Sequence, residues 1–534
     1  MADIPQTKKE DAGIVVLTPS EGSAVFLSTE ATDLEEKHFS TDHLLTNFRR
    51  RTIFSGLITT AAQAALFFLN LAYIVVLARL LAPQEFGLVA MVTTVMGFLR
   101  IFQDAGLSTA TVQRQEITHA QVSNLFWVNV AVGGVTTLLV AGLAPAIAWF
   151  YREPRLVGIT LALSITFLLT SLAVQHNALL NRQMRFKLVA IVDVISMSVG
   201  YLIGVGMALS ECSYWALVGA TVAQGALRLV LMWSVCRWRP RFPSRSAQTW
   251  HLLSFGANMT VGSLMYSLAR GADNLLIGRL FGPAAVGLYS RGSVLLLRPL
   301  QQCMMPVYAV SIPALSRLQG EPDRYRSTFL QVFEAIALMT FLFTGLLLPL
   351  SYPLTLAVLG PKWEAAAPIF AGFTMAALAY PLTTAATWMF ASQGRGKDWV
   401  ITSSVVSTLT LCSFLVGLPF GPAGVAISYS GYCLLIEVPF VFYMAGRQGP
   451  VRGRDFWTRC LRHLPVWGIV CGTVWFARVV VLNTGPWMQL AVGTSASMLA
   501  GAAYIAVSTP SRRVALNLFS IMRDFKNARP TPAA

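Results

Sequence analysis

Long apolar runs, separated by short polar loops, limit this chain to very few folds. Fourteen follow one another, at about 53–80, 86–112, 122–150, 156–181, 188–209, 214–236, 250–280, 285–315, 328–358, 365–392, 398–419, 423–446, 463–482 and 486–508. Each can cross a bilayer, for which about 20 apolar residues suffice. Within lipid every backbone N–H and C=O must be satisfied internally, so runs of this length read as helices. Composition agrees: 55% of the 534 residues are hydrophobic and 12% are charged, against about 25% charged in soluble domains. The expected fold is an all-α membrane protein of about 14 transmembrane helices.

Residues 1–48 hold nine of the 24 acidic residues and three lysines, and they lack the apolar stretch of a signal peptide. They read as a disordered acidic cytoplasmic tail, with the first span serving as the insertion signal. With that tail inside, basic residues alternate as the positive-inside rule requires. Inside loops carry clusters such as Arg182, Arg185 and Lys187, or Arg237, Arg239, Arg241 and Arg245. Outside loops carry only Arg79, Arg152, Arg155, Arg279 and Lys362. The net charge of +16 is therefore explained by anchoring at the anionic inner leaflet, without nucleic acid. Both termini are expected in the cytoplasm.

A repeat organises the spans. A-R-L-L-A-P-Q-E-F-G-L at 78–88 is echoed by G-R-L-F-G-P-A-A-V-G-L at 278–288. Arg79, Leu80, Pro83, Gly87 and Leu88 return 200 residues later as Arg279, Leu280, Pro283, Gly287 and Leu288. Each copy lies between two apolar runs, so each reads as a helix–turn–helix corner. Arg185-x-Lys187 and Arg395-x-Lys397 form a second echo. An even number of spans separates the corners, which makes the repeat parallel. The expected organisation is an N-lobe at 49–245, a C-lobe at 246–450, an appended helix pair at 451–510 and a basic cytoplasmic tail at 511–534. The seam between matched halves is where transporters of this build hold cargo.

Apart from Arg79, Arg279 and Asp398 at their very ends, eleven charged residues fall inside the spans, each costing about 2.5–3.5 kcal/mol at a helix centre. Asp193, Arg228, Glu334 and Arg478 lie near span ends and are assigned to structure. Arg100, Asp104, Arg270, Asp273, Arg291 and Arg298 cluster on spans 2, 7 and 8, and Glu437 stands apart on span 12. Arg100 and Asp104 are four apart, and Arg270 and Asp273 three apart, so each couple can pair along its own helix. Arg291 and Arg298 have no acid on their helix. Arg100 and Arg298 occupy nearly equivalent positions in the two halves and are expected near mid-membrane, facing a wet cleft. Guanidinium forks there suit phosphate or pyrophosphate oxygens. Trp127, Trp149, Trp215, Trp250 and Trp363 lie near span ends and read as an interfacial belt. The seven cysteines and six histidines form no metal or catalytic motif, so neither an enzyme nor a metal protein is expected.

The corner R-L-L-A-P-Q-E-F-G-L, the following F-x-D-A-G-L at Phe102–Leu107, D-N-L-L-I-G-R-L-F-G-P-A-A-V-G-L-Y-S-R at Asp273–Arg291 and L-G-P-K-W-E-A-A-A-P at Leu359–Pro368 resemble Wzx-type polysaccharide flippases. These O-antigen and exopolysaccharide repeat-unit flippases belong to the multidrug/oligosaccharidyl-lipid/polysaccharide exporter superfamily. The likeness covers about 45–450. It implies two parallel six-helix lobes in a V around a central cavity, in the bacterial inner membrane. It also implies a cargo of undecaprenyl-pyrophosphate-linked oligosaccharide, moved from the cytoplasmic to the outer leaflet. A polysaccharide polymerase and a chain-length regulator are candidate partners. On this reading Arg100, Arg270, Arg291 and Arg298 bind the pyrophosphate, Arg298 on position alone. Asp104, Asp273 and Glu437 support them or couple a proton or sodium ion, and no other cofactor is expected. A drug–cation antiporter of the same fold and a non-transporting envelope scaffold are the alternatives.

Overall fold

The computed structural model describes residues 48–104, 111–112, 117–243 and 250–517. The expected tails, apart from Phe48 and 511–517, lie outside them. All regular structure among these residues is helical. The first half comprises α1 (Phe48–Leu80), α2 (Pro83–Asp104), α3 (His119–Tyr151), α4 (Leu156–Arg182), α5 (Phe186–Leu209) and α6 (Trp215–Val235). A long bent helix, α7 (Trp250–Arg317), opens the second half. It is followed by α8 (Pro322–Val358), α9 (Ala367–Ser392), α10 (Gly396–Gly417), α11 (Gly421–Tyr432) and α12 (Val438–Gly446). The chain closes with α13 (Gly453–Val480) and α14 (Pro486–Val507).

Eleven helical stretches among the described residues are long and apolar enough to cross a membrane. This differs from fourteen separate spans because two of the stretches each take in a pair of helices joined by a tight corner. Gly271–Arg317 bends at Gly282, and Gly396–Gly446 turns at Leu418–Gly421. The short α2 is not among the eleven. Gly282 has φ 79° and ψ −177°, a conformation that a side chain resists. Pro283 restarts the helix immediately after it, and Pro83 opens α2 in the same way. Glu85 accepts from the Ala82 N–H at 2.6 Å and so caps the first corner.

The second echo also shares its backbone. Met184 (φ 54°) and Gly394 (φ 69°) are both left-handed. The following arginine N–H then reaches back to a helix carbonyl, Arg185 to Leu180 at 2.9 Å and Arg395 to Phe390 at 2.8 Å. Both α4 and α9 thus end on the same 6→1 closure, which satisfies carbonyls the helix leaves open.

In the first half α1 packs on α5, α3 on α4, and α6 on both α4 and α5. In the second half α9 is central, against α7, α8 and α11, while α13 and α14 lie on α8. The two halves meet chiefly along α2 and α7, the most extensive helix pairing among the described residues. A wall of Phe329, Phe333, Phe442 and Phe456 seals α8 against α12 and α13. Large apolar side chains such as Trp149, Leu138, Leu435 and Leu499 stay exposed on the outer helix faces, the pattern of helices whose solvent is lipid.

The charges assigned to structure have partners. Arg228 Nε meets Asp193 Oδ1 at 2.8 Å, joining α6 to α5. Glu334 on α8 receives Arg459, and also Arg462 and His463 at 3.2 Å each, all from α13. Arg478 donates to the Pro349 carbonyl at 2.9 Å and lies over the Tyr352 ring. Pairing removes most of the cost of placing such groups within helices of this kind.

Candidate functional site

The two sequence corners touch each other. A methyl group on Gly87 would overlap the Pro283 carbonyl, and one on Gly287 would overlap the Pro83 carbonyl. This contact is reciprocal, as expected where two copies of one motif meet about a pseudo-two-fold axis. Glycine is required at both positions because each helix start lies directly against the other's backbone.

The second half then clasps the first corner. Arg79 donates to the Ala357 carbonyl at 2.8 Å, and Lys362 to the Leu80 carbonyl at 3.3 Å. Trp363 is fully buried and donates its indole N–H to the Ala78 carbonyl at 2.7 Å. Its ring sits edge-on to Phe86, 5.2 Å between centroids. Trp363 is therefore not an interfacial-belt residue. The L-G-P-K-W segment folds back over the corner, and burial in protein replaces contact with head groups. Trp127, Trp149 and Trp215 are exposed, as a belt would be, while Trp250 lies outside the described side chains.

From this corner α2 and the second part of α7 descend together. At about 1.5 Å per residue, Arg291 lies about 12 Å below Pro283 and Arg298 about 22 Å, while Arg100 lies about 26 Å below Pro83. Arg100 and Arg298 thus lie within about 4 Å of one another along their helices, both beyond Arg291. Arg291 extends across the seam, its guanidinium 5.1 Å from the centre of the Phe86 ring. Its Nε is buried without a hydrogen-bond partner. Arg298 is exposed and, like Arg291, forms no ion pair among the described residues. The two stand seven residues apart, two turns along one face of the helix.

Opposite them stand groups that local sequence did not single out. Tyr73 on α1 stacks on Tyr201 of α5, with ring centres 3.8 Å apart and planes 2° from parallel. Asn70 donates to the Tyr201 hydroxyl at 2.5 Å. Arg291 interacts electrostatically with Tyr73, and Arg298 with Tyr201. The only local signal was a polar Asn70 three residues before Tyr73 in an apolar run, which does not reveal a partner 131 residues away.

Of the other candidates, Asp273 and Glu437 join Arg298 in lining one cavity of about 430 Å³. Asp273 accepts from the Asn274 N–H at 2.7 Å. Arg100 is exposed near the end of α2. The side chains of Asp104 and Arg270 lie outside the described residues, so neither intrahelical pair has a described geometry. Two guanidinium groups that form no ion pair among the described residues, near the stacked phenols of Tyr73 and Tyr201, form a cationic strip. Their fixed donor forks match phosphate oxygens.

Comparison with known proteins completes the picture. Residues 76–368, more than half of the chain, match the family model described as polysaccharide biosynthesis protein. The chain belongs to the polysaccharide biosynthesis protein family. Among its relatives, the teichuronic acid biosynthesis protein TuaB of Bacillus subtilis is 30% identical over 279 residues, 51% of this chain and 57% of that protein. The succinoglycan biosynthesis transport protein ExoT of Rhizobium meliloti is 26% identical over 359 residues, 65% and 71% of the two chains. The lipopolysaccharide biosynthesis protein WzxC of Escherichia coli is 23% identical over 329 residues, 60% and 66%. The chain thus spans a little over half of the TuaB relative's length and about two thirds of WzxC's. Among solved structures, the lipid II flippase MurJ in an inward closed conformation superposes with TM-score 0.64 at 12% identity, covering 84% of this chain and 99% of that one. An inward-facing multidrug resistance MATE transporter gives 0.57 at 14% identity, covering 74% and 96%. This member of the polysaccharide biosynthesis protein family is therefore a multi-pass helical membrane protein with a fold like those of MurJ and the MATE transporter.

Proposed function

We propose that the protein flips undecaprenyl-pyrophosphate-linked oligosaccharide repeat units from the cytoplasmic to the outer leaflet of the bacterial inner membrane. The observation that supports this reading is the pair Arg291 and Arg298, two cations that form no ion pair among the described residues at the seam between the halves, near Tyr73 and Tyr201. A half-buried cation such as Arg291 is costly within a membrane span unless water or an anion attends it. A pyrophosphate carries the charge and the acceptor geometry that these forks lack. Relatives in teichuronic acid, succinoglycan and lipopolysaccharide biosynthesis support a glycan-linked cargo.

The mechanism is alternating access between an N-lobe (49–245) and a C-lobe (246–450), with 451–510 appended and both tails in the cytoplasm. The pyrophosphate enters the seam from the inside, held by Arg291 and Arg298 with Arg100 and Arg270 in support. The polyprenyl tail stays in lipid. Asp273 and Glu437, on one cavity wall, couple the cycle to a proton or sodium ion, with Asp104 as a supporting acid. The test is polymer export in a host lacking the gene. Arg291→Ala and Arg298→Ala reach the membrane at normal levels and lose export, while Arg298→Lys keeps part of it. Full export by both alanine variants would remove the arginines from the reading.

A further inference from the structure

The cavity that Arg298 borders has an unusual chemistry. It lies within the second half, between α7, α9, α10 and α11, and Ser and Thr side chains dominate its polar wall. Many of those hydroxyls have already given their proton to their own helix. Ser293 donates to Ser290, Thr383 to Ala379, Thr387 to Thr384 and Ser403 to Trp399, each to a backbone carbonyl. A hydroxyl used in this way offers its lone pairs to the cavity. Asp273 and Glu437 add carboxylate oxygens, and the Asn274 Oδ1 is buried without a partner. Away from Arg298 at its border, the wall is therefore rich in acceptors, which favours a ligand bearing many O–H donors.

Two further features narrow the ligand. Thr402 is 2% exposed, and its hydroxyl is buried without a partner on the cavity wall. Buried polar groups in native proteins are nearly always satisfied, so an orphan on a cavity wall marks where something binds. The volume of about 430 Å³ falls in the small-molecule range of ~300–1,000 Å³ and greatly exceeds what one coupling ion needs. Trp399, half exposed, and the rings of Phe373, Phe414 and Tyr429 supply apolar faces among the oxygens. Acceptor oxygens alternating with aromatic faces suit a pyranose, which carries hydroxyls on its rim and C–H groups on its faces.

We propose that this cavity binds the sugar attached directly to the pyrophosphate. The inference rests on the flippase reading above and adds a location to it. The first sugar is bonded to the phosphate, so its site must adjoin the phosphate site, and Arg298 borders both. The cavity would thus distinguish a loaded carrier from a bare one before transport begins.

The experiment uses the full chain in lipid nanodiscs. Its probes are undecaprenyl pyrophosphate and the same lipid carrying glucose, galactose or N-acetylglucosamine. At least one glycosylated lipid binds about tenfold tighter than the bare one, the worth of one or two buried hydrogen bonds. Thr402→Val with Ser403→Ala brings that lipid back to the affinity of the bare one, and bare-lipid affinity, which also reports correct folding, stays as in the wild type. Arg298→Ala weakens every lipid. If Arg298→Ala leaves bare-lipid binding unchanged, the pyrophosphate reading fails. If bare binding depends on Arg298 but no sugar adds affinity, or the double variant keeps the sugar increment, the sugar site is overturned. A double variant that alters only sodium or pH dependence, with the sugar increment intact, would leave the cavity to the coupling ion alone and overturn the sugar site equally.

Discussion

Gly87→Ala offers a direct test of the corner contact. The added methyl would fall inside the Pro283 carbonyl group and 3.0 Å from the Gly287 nitrogen. Both are backbone atoms, flanked by a proline and a helix start, so neither can swing aside as a side chain would. Relief requires α2 and α7 to separate at this end. Overpacking of this kind costs about 1–3 kcal/mol, a factor of about 5–160 in an equilibrium. The penalty applies only while the corners touch. On the proposed alternating-access cycle, the protein escapes it by populating the state in which they part, rather than by unfolding. Spin labels at Gln84 and Ala284, both exposed beside the corner, in a cysteine-free background would report their separation. Gly87→Ala shifts the distance distribution to longer values, and Gly287→Ala does the same through the Pro83 carbonyl. The double variant shifts it by less than the sum, because both methyls are relieved by one movement. Gly97→Ala, with open space around it, is the control. An unchanged distribution in folded Gly87→Ala protein would refute the claim that this contact holds the corner shut.

Three further outcomes follow from the same geometry. Trp363→Phe keeps a ring against Phe86 but strands the Ala78 carbonyl, lowering thermal stability by about 1–3 kcal/mol, whereas Trp363→Ala costs about 3–5 kcal/mol; equal midpoints for the two would refute the role given to the indole N–H. In the loop between α3 and α4, the hydrogen bond from Arg155 holds the Glu153 carboxyl below its ordinary 4.5. Its contribution is present above that value and is lost as the pH falls through the lower folded value. The small stability difference between wild type and Arg155→Ala seen at pH 7 therefore shrinks only on acidification below 4.5, and a difference independent of pH would exclude the pair as its source. Asp193→Asn leaves Arg228 with a weaker partner, loosening α5 from α6 and lowering the thermal midpoint without altering lipid selectivity; a change in selectivity would place that pair in the binding site.

The apolar runs, the two corners and the alternation of basic loops were legible in the sequence because each is written over a few neighbouring residues. Lipid forces internal hydrogen bonding, so a long apolar run can hardly be anything but a helix. Proline and glycine mark corners by their own backbone preferences. The duplication followed from comparing one short stretch with another, and Arg291 and Arg298 were recognisable as cations lacking a local acid. Other features depend on pairs far apart in the chain, and no local pattern encodes them. That Gly87 meets Pro283, that Trp363 seals the corner at Ala78 and that Tyr73 and Tyr201 face the arginines were all settled by packing. So was the gathering of hydroxyls from α7, α9 and α10 into one cavity. A serine in an apolar helix looks the same in sequence whether its oxygen faces lipid, a neighbouring helix or a ligand; only the arrangement of the surrounding helices decides which.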